Sequence, residues 1–313
     1  MTRFVVCGET LIDLVQSTTE EATSFRTVWE ALSAGGPMNS AVALGTLGAQ
    51  AEFLGRLSDD AFGGQLRSHI TGAGVGLGLS TDSSQATSIA VVSLDADGVA
   101  TYTFHFDDTA NFGWRREELP DLDEGDWLHI ASLSCVVEPG SAVLLDWAQD
   151  LRCGVSYDIN VRPTVITDPH EYWGKVEPWL AAVGRRGGIV KASDADIDFL
   201  VQALGGGDPV EVAARWVEEH GLGLAVVTLG PHGSAAVEPG GAVTRVPGFA
   251  VDVVDTVGAG DTFMAGFLEG RVGQGLDLEA SLRRGAAAAA IVCGRQGAQP
   301  PTAAEVDALV ASA

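Results

Sequence analysis

Residues 255–268 read DTVGAGDTFMAGFL, a glycine-rich turn that runs into an apolar helix with a carboxylate at the junction. Gly258 and Gly260 keep the backbone clear of side chains, so successive N–H groups can turn towards one point at the start of a helix near Asp261. Amides that converge at a helix start attract anions, and the low charge of residues 262–268 places that helix among other elements. The turn therefore reads as a phosphate site facing a pocket. A carboxylate there would repel a resting phosphate unless it had another task, and accepting the proton of an attacking hydroxyl is such a task. The helix N-terminus favours the ionised form, so Asp261 is expected to be a weak base, which suffices for the loose transition state of phosphoryl transfer. The bland alternative is that Asp261 caps the helix and the glycines only turn the chain.

The stretch closely resembles the C-terminal signature of the ribokinase-type (PfkB) carbohydrate kinases. The resemblance implies Asp261 as the catalytic base and the amides of Gly258, Ala259 and Gly260 as an anion hole. It also implies an α/β chain with the ribokinase-like three-layer α/β/α architecture, a mostly parallel central sheet and a small β-sheet lid. One domain is expected over residues 1–313, with the lid formed by about 11–30 and 88–107.

The elements that must position this turn follow from apolar runs and punctuation. Residues 4–7 read as a buried strand and 11–15 as a second short one, broken by Asp13. An edge-strand carboxylate is the bland account of Asp13; the resemblance makes it a ligand of sugar hydroxyls. Residues 33–48, SAGGPMNSAVALGTLG, read as a loop and cap ahead of a helix, with Pro37 starting it and Asn39 capping locally. They also resemble the family's GGxxxN motif, with Ala34 at the first glycine position, and this implies sugar contacts for Gly35, Gly36 and Asn39. Residues 51–57 read as a strand, followed by a helix from about Asp60 with Ser58 or Asp59 as cap. Residues 88–106 give two strand-like runs around Asp95-Ala96-Asp97-Gly98, a hairpin turn, and with 11–15 and 25–29 they make up the lid. In the lid Tyr102, Phe104 and His105 are candidates to face the sugar, with lid-core packing as the alternative.

From about residue 126 strands and helices alternate, as in wound α/β folds: strands at 127–131, 154–159 and 188–191, helices from Pro139, near Pro169 and from Ser193. Such sheets bind ligands at the C-terminal ends of their strands, where Asp158, Asn160 and Arg162 fall in YDINVRP, a stretch similar to the family's DxNxR. Arg162 suits a phosphate or a substrate oxygen. KASDADIDFL resembles the segment with an NxxE pattern linked to magnesium and phosphate. Ser193 and Asp196 take those places, and the resemblance implies nucleotide contacts for Lys191 and Ser193 and a water-mediated magnesium contact for Asp196. Residues 228–233, TLGPHG, resemble the nucleotide stretch TLGxxG, with Thr228, Gly230 and Gly233 near adenosine. An alanine-rich helix over 278–293 leads to a loop at Gly297 that in relatives closes over adenine and, with Asp255 and Val257, binds a monovalent cation.

Composition excludes several other readings. The 313 residues carry 42 acidic and 18 basic side chains, a net charge of −24, which repels nucleic acid and anionic membrane surfaces. Cys7, Cys135, Cys153 and Cys293 lie far apart with no CxxC pair and read as reduced core residues, and the six histidines show no zinc-ligand spacing. No signal-type core and no run of 18 apolar residues is present, so a cytoplasmic protein is expected. There is no Walker A loop and no GxGxxG fingerprint.

The expectation is an ATP-dependent, magnesium-requiring kinase, with potassium as a further ion, acting on a primary hydroxyl of a small sugar. The lid stretch from Tyr102 to Asp108 holds no arginine and ends in two carboxylates, and Thr109-Ala110-Asn111 resembles fructokinase-like members, so a neutral sugar such as fructose is favoured. A 2-keto-3-deoxygluconate kinase, an adenosine-type nucleoside kinase and a catalytically silent sugar or nucleotide sensor are the alternatives. A homodimer joined through the lid sheet is expected.

Overall fold

The computed structural model describes residues 2–17, 23–94 and 100–312. Along the chain come β1 (Arg3–Cys7), β2 (Leu11–Gln16), β3 (Trp29–Ala34), α1 (Gly36–Thr46), β4 (Gln50–Leu54), β5 (Arg56–Ser58), α2 (Ala61–Gly72), β6 (Thr81–Ser83), β7 (Ile89–Leu94) and β8 (Ala100–His105). Strands and helices then alternate as β9 (Trp127–Ala131), α3 (Gly140–Asp150), β10 (Gly154–Asp158), α4 (Pro169–Gly184), β11 (Ile189–Ser193), α5 (Asp194–Leu204), α6 (Pro209–His220) and β12 (Leu224–Thr228). The chain continues through β13 (Ser234–Val237), β14 (Val243–Val246), α7 (Ala259–Leu268), α8 (Leu278–Cys293) and α9 (Ala303–Ala311).

Eight strands form the main sheet in the order β14-β13-β12-β11-β10-β9-β1-β4. The six from β12 to β4 are parallel, and β13 and β14 add an antiparallel edge. Parallel strands covered on both faces need apolar side chains on both, and the alternation of β structure deals them to two cores. Val5, Cys7, Tyr157 and Val227 meet Trp147, Trp179, Leu200 and Trp216 from α3, α4, α5 and α6 on one face. Phe4, Val6 and Val226 meet Met38, Ile70, Phe267, Leu282 and Val306 from α1, α2, α7, α8 and α9 on the other. The large rings satisfy their polar atoms: Trp179 Nε1 donates to Cys135 O at 2.9 Å and Trp147 Nε1 to Pro120 O at 2.8 Å.

The alanine run of α8 lets α7 lie close against it. A Cβ on Gly266 would stand 3.0 Å from Ala288 Cβ, and one on Gly285 would stand 2.8 Å from Phe263 O. Near-contact of the two backbones fixes the helix that carries Asp261, because larger side chains would push it out of the layer.

A second, four-stranded sheet in the order β3-β2-β7-β8 forms the expected lid. Its edge strand β3 is Trp29–Ala34, not residues 25–29. Ser33 and Ala34, read from the sequence as the start of a loop, pair with Ile12 and Leu11. Neither has strong strand preference, so pairing with β2 decides their conformation. The lid strands thus span 11–34 and 89–105 against the expected 11–30 and 88–107, and the turn read at 95–98 lies outside the described residues. Asp13 stands opposite Leu32 and Ala90, and Ala90 stands opposite Phe104, so these share one face. Ile12, Ile89 and His105 share the other. His105 therefore faces away from Asp13, a correction to its grouping with Tyr102 and Phe104.

The expected strand at 51–57 is interrupted at Gly55 into β4 and β5. Helix α2 is capped by Asp60 itself, which accepts from Gly63 N at 2.7 Å and from Thr87 N at 2.9 Å, rather than by Ser58 or Asp59. All four cysteines are free thiols. Among the described residues no helix is long and apolar enough to cross a membrane.

Candidate active site

Asp261 sits in the first turn of α7, at the C-terminal edge of the parallel strands, where wound sheets place their ligands. The helix begins after Gly258, whose φ of 75° is a left-handed conformation that suits glycine. A side chain there would also run into Ala298, 2.6 Å from an added Cβ. The Ala259 amide is spent on closing the turn, donating to Thr256 O at 3.2 Å. The amides of Gly258, Gly260 and Asp261 have no hydrogen-bond partner among the described residues, and Thr262 N makes the first helical bond, to Gly258 O at 2.8 Å. The open donors at this helix start are thus those of 258, 260 and 261, with Ala259 shaping the turn instead.

The Asp261 carboxylate is buried, only 6% exposed, and held by two amide side chains. Asn39 Nδ2 donates to its Oδ2 at 2.9 Å and Asn160 Nδ2 to its Oδ1 at 3.4 Å. Asn39 is therefore not the local cap that its place near Pro37 allows; its side chain crosses to α7. Ser40 Oγ, beside it, donates to Asp261 O at 3.4 Å. Burial pushes the Asp261 carboxyl above the usual carboxylate range, while the bond from Asn39 and the charges of Lys191 and Arg162 draw it back. This reverses the expectation from the helix N-terminus alone, because removal from water outweighs the dipole.

Gly36 leaves the space this cluster needs. A Cβ there would lie 2.9 Å from Asn160 Nδ2 and 3.2 Å from Asp261 Oδ1. Gly35, with φ of 127°, turns the chain over Glu9 and Thr10 rather than towards Asp261. Asn160 itself adopts a left-handed φ of 44°. Its orientation is set by Arg162, whose Nη1 donates to Asn160 Oδ1 at 2.6 Å and so turns Nδ2 towards Asp261. Burial lifts the carboxyl of Asp13 to about 6 although the charge of Arg162 draws it down. Asp13 on the lid and Asp261 on α7 thus feel the same guanidinium.

Lys191 and Asp158 form a buried ion pair, 3.0 Å apart, beneath the turn. The ammonium would lie 2.9 Å from a Cβ on Gly260, so its charge sits directly behind the open amides. Burial works against that charge, and Asp158, Asp196 and Asp261 together outweigh it, keeping Lys191 above the usual lysine range. Asp158 is lifted to about 7 by burial despite Lys191. Nearby, burial and Lys191 hold His129 neutral, at about 3.

Ser193 caps α5, and Asp196 reciprocates, accepting from Ser193 N on one oxygen and from Val161 N on the other, both at 2.7 Å. Asp196 thereby straps β11 to the loop holding Asn160. Thr228 ends β12 beside Ser193. Gly230 faces open space, whereas a Cβ on Gly233 would meet Val246 O at 2.1 Å, so Gly233 lets β14 and the segment after it pack closely. Asp255 accepts from Val257 N at 3.0 Å and Gly297 N at 2.9 Å, which draws the two loops flanking the α7 turn together. Tyr102 and Phe104 stack with ring centres 6.1 Å apart on the Asp13 face of the lid.

Sequence reasoning missed a buried support behind Gly35 and Gly36. Glu9 accepts from Ser134 N at 3.1 Å and Ser134 Oγ at 2.6 Å, and Ser132, with φ of 61°, stands beside Gly36. The available signal was a glutamate placed directly after an apolar strand and Gly8, where burial is expensive without partners.

Comparison with known proteins agrees with this geometry. The pfkB family carbohydrate kinase profile matches residues 1–305. A fructokinase of Rhizobium leguminosarum bv. trifolii is 35% identical over 266 residues, which span 84% of this chain and 77% of its own. Fructokinase from Vibrio cholerae O395 in its fructose, ADP and calcium ion bound form superposes with a TM-score of 0.84 at 25% identity over 99% of both chains. A double mutant of that enzyme in fructose, ADP and potassium ion bound form gives 0.83 at 25% identity, over 99% of this chain and 98% of the other. Fructokinase from Xylella fastidiosa with bound ATP gives 0.84 at 26% identity, again over 99% and 98%. The three layers and separate lid are the ribokinase-like fold, and the chain belongs to the pfkB family of carbohydrate kinases.

Proposed function

We propose that this carbohydrate kinase transfers the γ-phosphoryl group of ATP to a primary hydroxyl of a neutral ketose of the fructose type, with Asp261 as general base. The observation that carries the reading is a buried carboxylate held by Asn39 and Asn160 at a helix start whose neighbouring amides are open. Asp261 takes the proton of the attacking hydroxyl; the amides of Gly258, Gly260 and Asp261, backed by Lys191, meet the charge on the transferred group. Asp13, Gly36 and Asn39 orient the sugar under Phe104 and Tyr102. Thr228, Gly230 and Gly297 lie towards the nucleotide. Magnesium bound with the ATP phosphates would supply charge neutralisation there, and Asp196, its oxygens already on amides, would meet it only through water. The fructose, ADP and ATP of the Vibrio and Xylella fructokinases support these substrates.

A sugar acid fits less well. Arg162 is folded onto Asn160, with bonds to Asn160 Oδ1 at 2.6 Å and Val161 O at 3.1 Å, and the segment leaving the lid carries Asp107 and Asp108. The Asp255 bridge between the 255–257 and 297 loops is where a potassium ion would shape the α7 turn. A cytoplasmic location accompanies this reading and is supported by the four free thiols. Leu32 and Tyr102, 44% and 46% exposed on the Asp13 face of the lid, support a homodimer through that sheet, which sedimentation would refute by returning a monomer.

ATP turnover compared for fructose, ribose and 2-keto-3-deoxygluconate, in potassium and in a bulky organic cation at equal ionic strength, tests the whole reading. Fructose should give the highest kcat/KM, and potassium should raise the rate. A preference for the acid removes the neutral-sugar assignment, equal rates remove the cation site, and no turnover removes the kinase.

Asp261→Asn keeps the shape of the cluster and removes the base, so turnover should fall on the order of 100-fold or more while sugar and nucleotide still bind. Near-normal turnover in the folded variant contradicts the catalytic role.

The elevated carboxyl of Asp13 gives a pH signature. Below about 6 it is protonated and no longer accepts two hydroxyl hydrogens, so kcat/KM for the sugar should fall with pH through that value. In Asp13→Asn that inflection should vanish. Its persistence would assign the titration to another group.

A further inference from the structure

Four stretches of chain join the main layers to the lid: the segment before β2, the one after β3, the one before β7 and the one after β8. All of them meet around Asn111, which is 2% exposed and lies on none of the lid strands. Its Oδ1 accepts from Thr10 N at 3.2 Å and its Nδ2 donates to Thr10 O at 2.7 Å, so the side-chain amide pairs with that peptide as a neighbouring strand would. The same Nδ2 donates to Ser88 Oγ at 2.8 Å. Ser88 and Thr109 hydroxyls lie 2.7 Å apart, and Thr109 Oγ1 donates to Phe106 O at 2.8 Å, so Ser88 gives its proton to Thr109 and one directional relay runs from Asn111 to Phe106. The fourth stretch closes on the same place: a Cβ on Gly35 would stand 3.0 Å from Thr10 Cα, and Thr10 Oγ1 reaches Met38 Sδ of α1 at 2.9 Å.

Thr10 directly precedes β2 and stands three residues before Asp13, so whatever fixes the Thr10 backbone also sets where the lid carries Asp13. We propose that Asn111 is a positioning residue for the sugar site, locking the angle between lid and main layers through Thr10, Ser88 and Thr109. The proposal rests on the reading of Asp13 as a sugar ligand. Asparagine has the donor and acceptor that the Thr10 peptide demands; aspartate of the same shape has no donor and sets an oxygen against Thr10 O.

The test uses Asn111→Asp and Asn111→Ala beside Ser88→Ala, which cuts the relay but leaves the Thr10 pairing, with Asp13→Asn as control. Both Asn111 variants should raise the KM for fructose about tenfold while the KM for ATP stays within about twofold, and Ser88→Ala should show a smaller rise in the same direction. Amide hydrogen exchange gives a readout independent of turnover. Residues 11–16 and 89–94 should exchange faster in the Asn111 variants while β9, β10 and β11 keep their protection. An unchanged fructose KM, an equal rise for ATP, or a loss of protection spread over the main sheet overturns the proposal. If Asn111→Ala does not fold, Ser88→Ala and Asn111→Asp decide by the same measures. If wild type phosphorylates no sugar, or Asp13→Asn keeps its sugar KM, the sugar-site reading is what fails. The exchange pattern of residues 11–16 then decides for or against the Asn111 lock by itself.

Discussion

The structure turns on the removal of one carboxylate from water at the start of a helix. Asp261 is buried at the first turn of α7, and a carboxylate left there alone would be costly, so its surroundings are organised to satisfy it. Asn39 comes from α1, Asn160 from the loop after β10, and each needs its own support. Asn160 requires a left-handed backbone and the guanidinium of Arg162; Asn39 requires the close turn at Gly35 and Gly36. The loop carrying Asn160 is tied in turn to β11 by Asp196. A carboxylate so held has neutral amide donors rather than a salt bridge, which keeps its proton affinity available. A direct arginine or lysine contact would depress it and weaken it as a base.

Helix packing supplies the rigidity that this cluster presupposes. Asp261 is useful only if α7 stays where it is relative to α1 and the strand ends, and glycine and alanine contacts between α7 and α8 allow little slack. The Asp255 carboxylate extends the same logic to the loops: by joining the amides of Val257 and Gly297 it fixes the turn leading into α7 from both sides. The lid differs in kind. It joins the main layers through four chain segments and through Ile12, buried in the core with Met38 and Phe53 while Leu14 and Ala31 pack against it, and a few directional hydrogen bonds act beside that packing.

Much of this was legible in the sequence because its signals are local. The turn at 258–261, the alanine-rich helix at 278–293 and the parallel strands announce themselves by glycine spacing and apolar runs, and the structure places them within a residue or two of where they were read, apart from the strand at 51–57, which breaks at Gly55. What was not legible depends on partners far away in sequence. Asn39 looked like a local cap because its true partner is 222 residues distant. Ser33 and Ala34 looked like loop because only pairing with β2 makes them strand. Alternation could not say which lid side chains face inward until the register set Asp13, Ala90 and Phe104 on one face and His105 on the other. Asp261 was read as a weak base from its helix position, since burial is a property of the assembled layers.

The charge of the chain sharpens the same point. With 42 acidic against 18 basic residues, binding a polyphosphate is an electrostatic problem for this chain. Around the α7 turn the cations that enter the balance of Asp261 are Lys191 and Arg162. Three carboxylates, Asp158, Asp196 and Asp261, act on Lys191, and that alone keeps an ammonium charged at 3% exposure. Removing one member of such a pair typically costs about 3–5 kcal/mol, so Lys191 and Asp158 are bound to each other's presence. The phosphate side of the site is then built from backbone N–H groups, which carry no net charge and cannot be titrated, with one buried ammonium behind them. That arrangement confines the attraction for anions to the open helix start, and it leaves the acidic exterior free to repel every polyanion too large to enter.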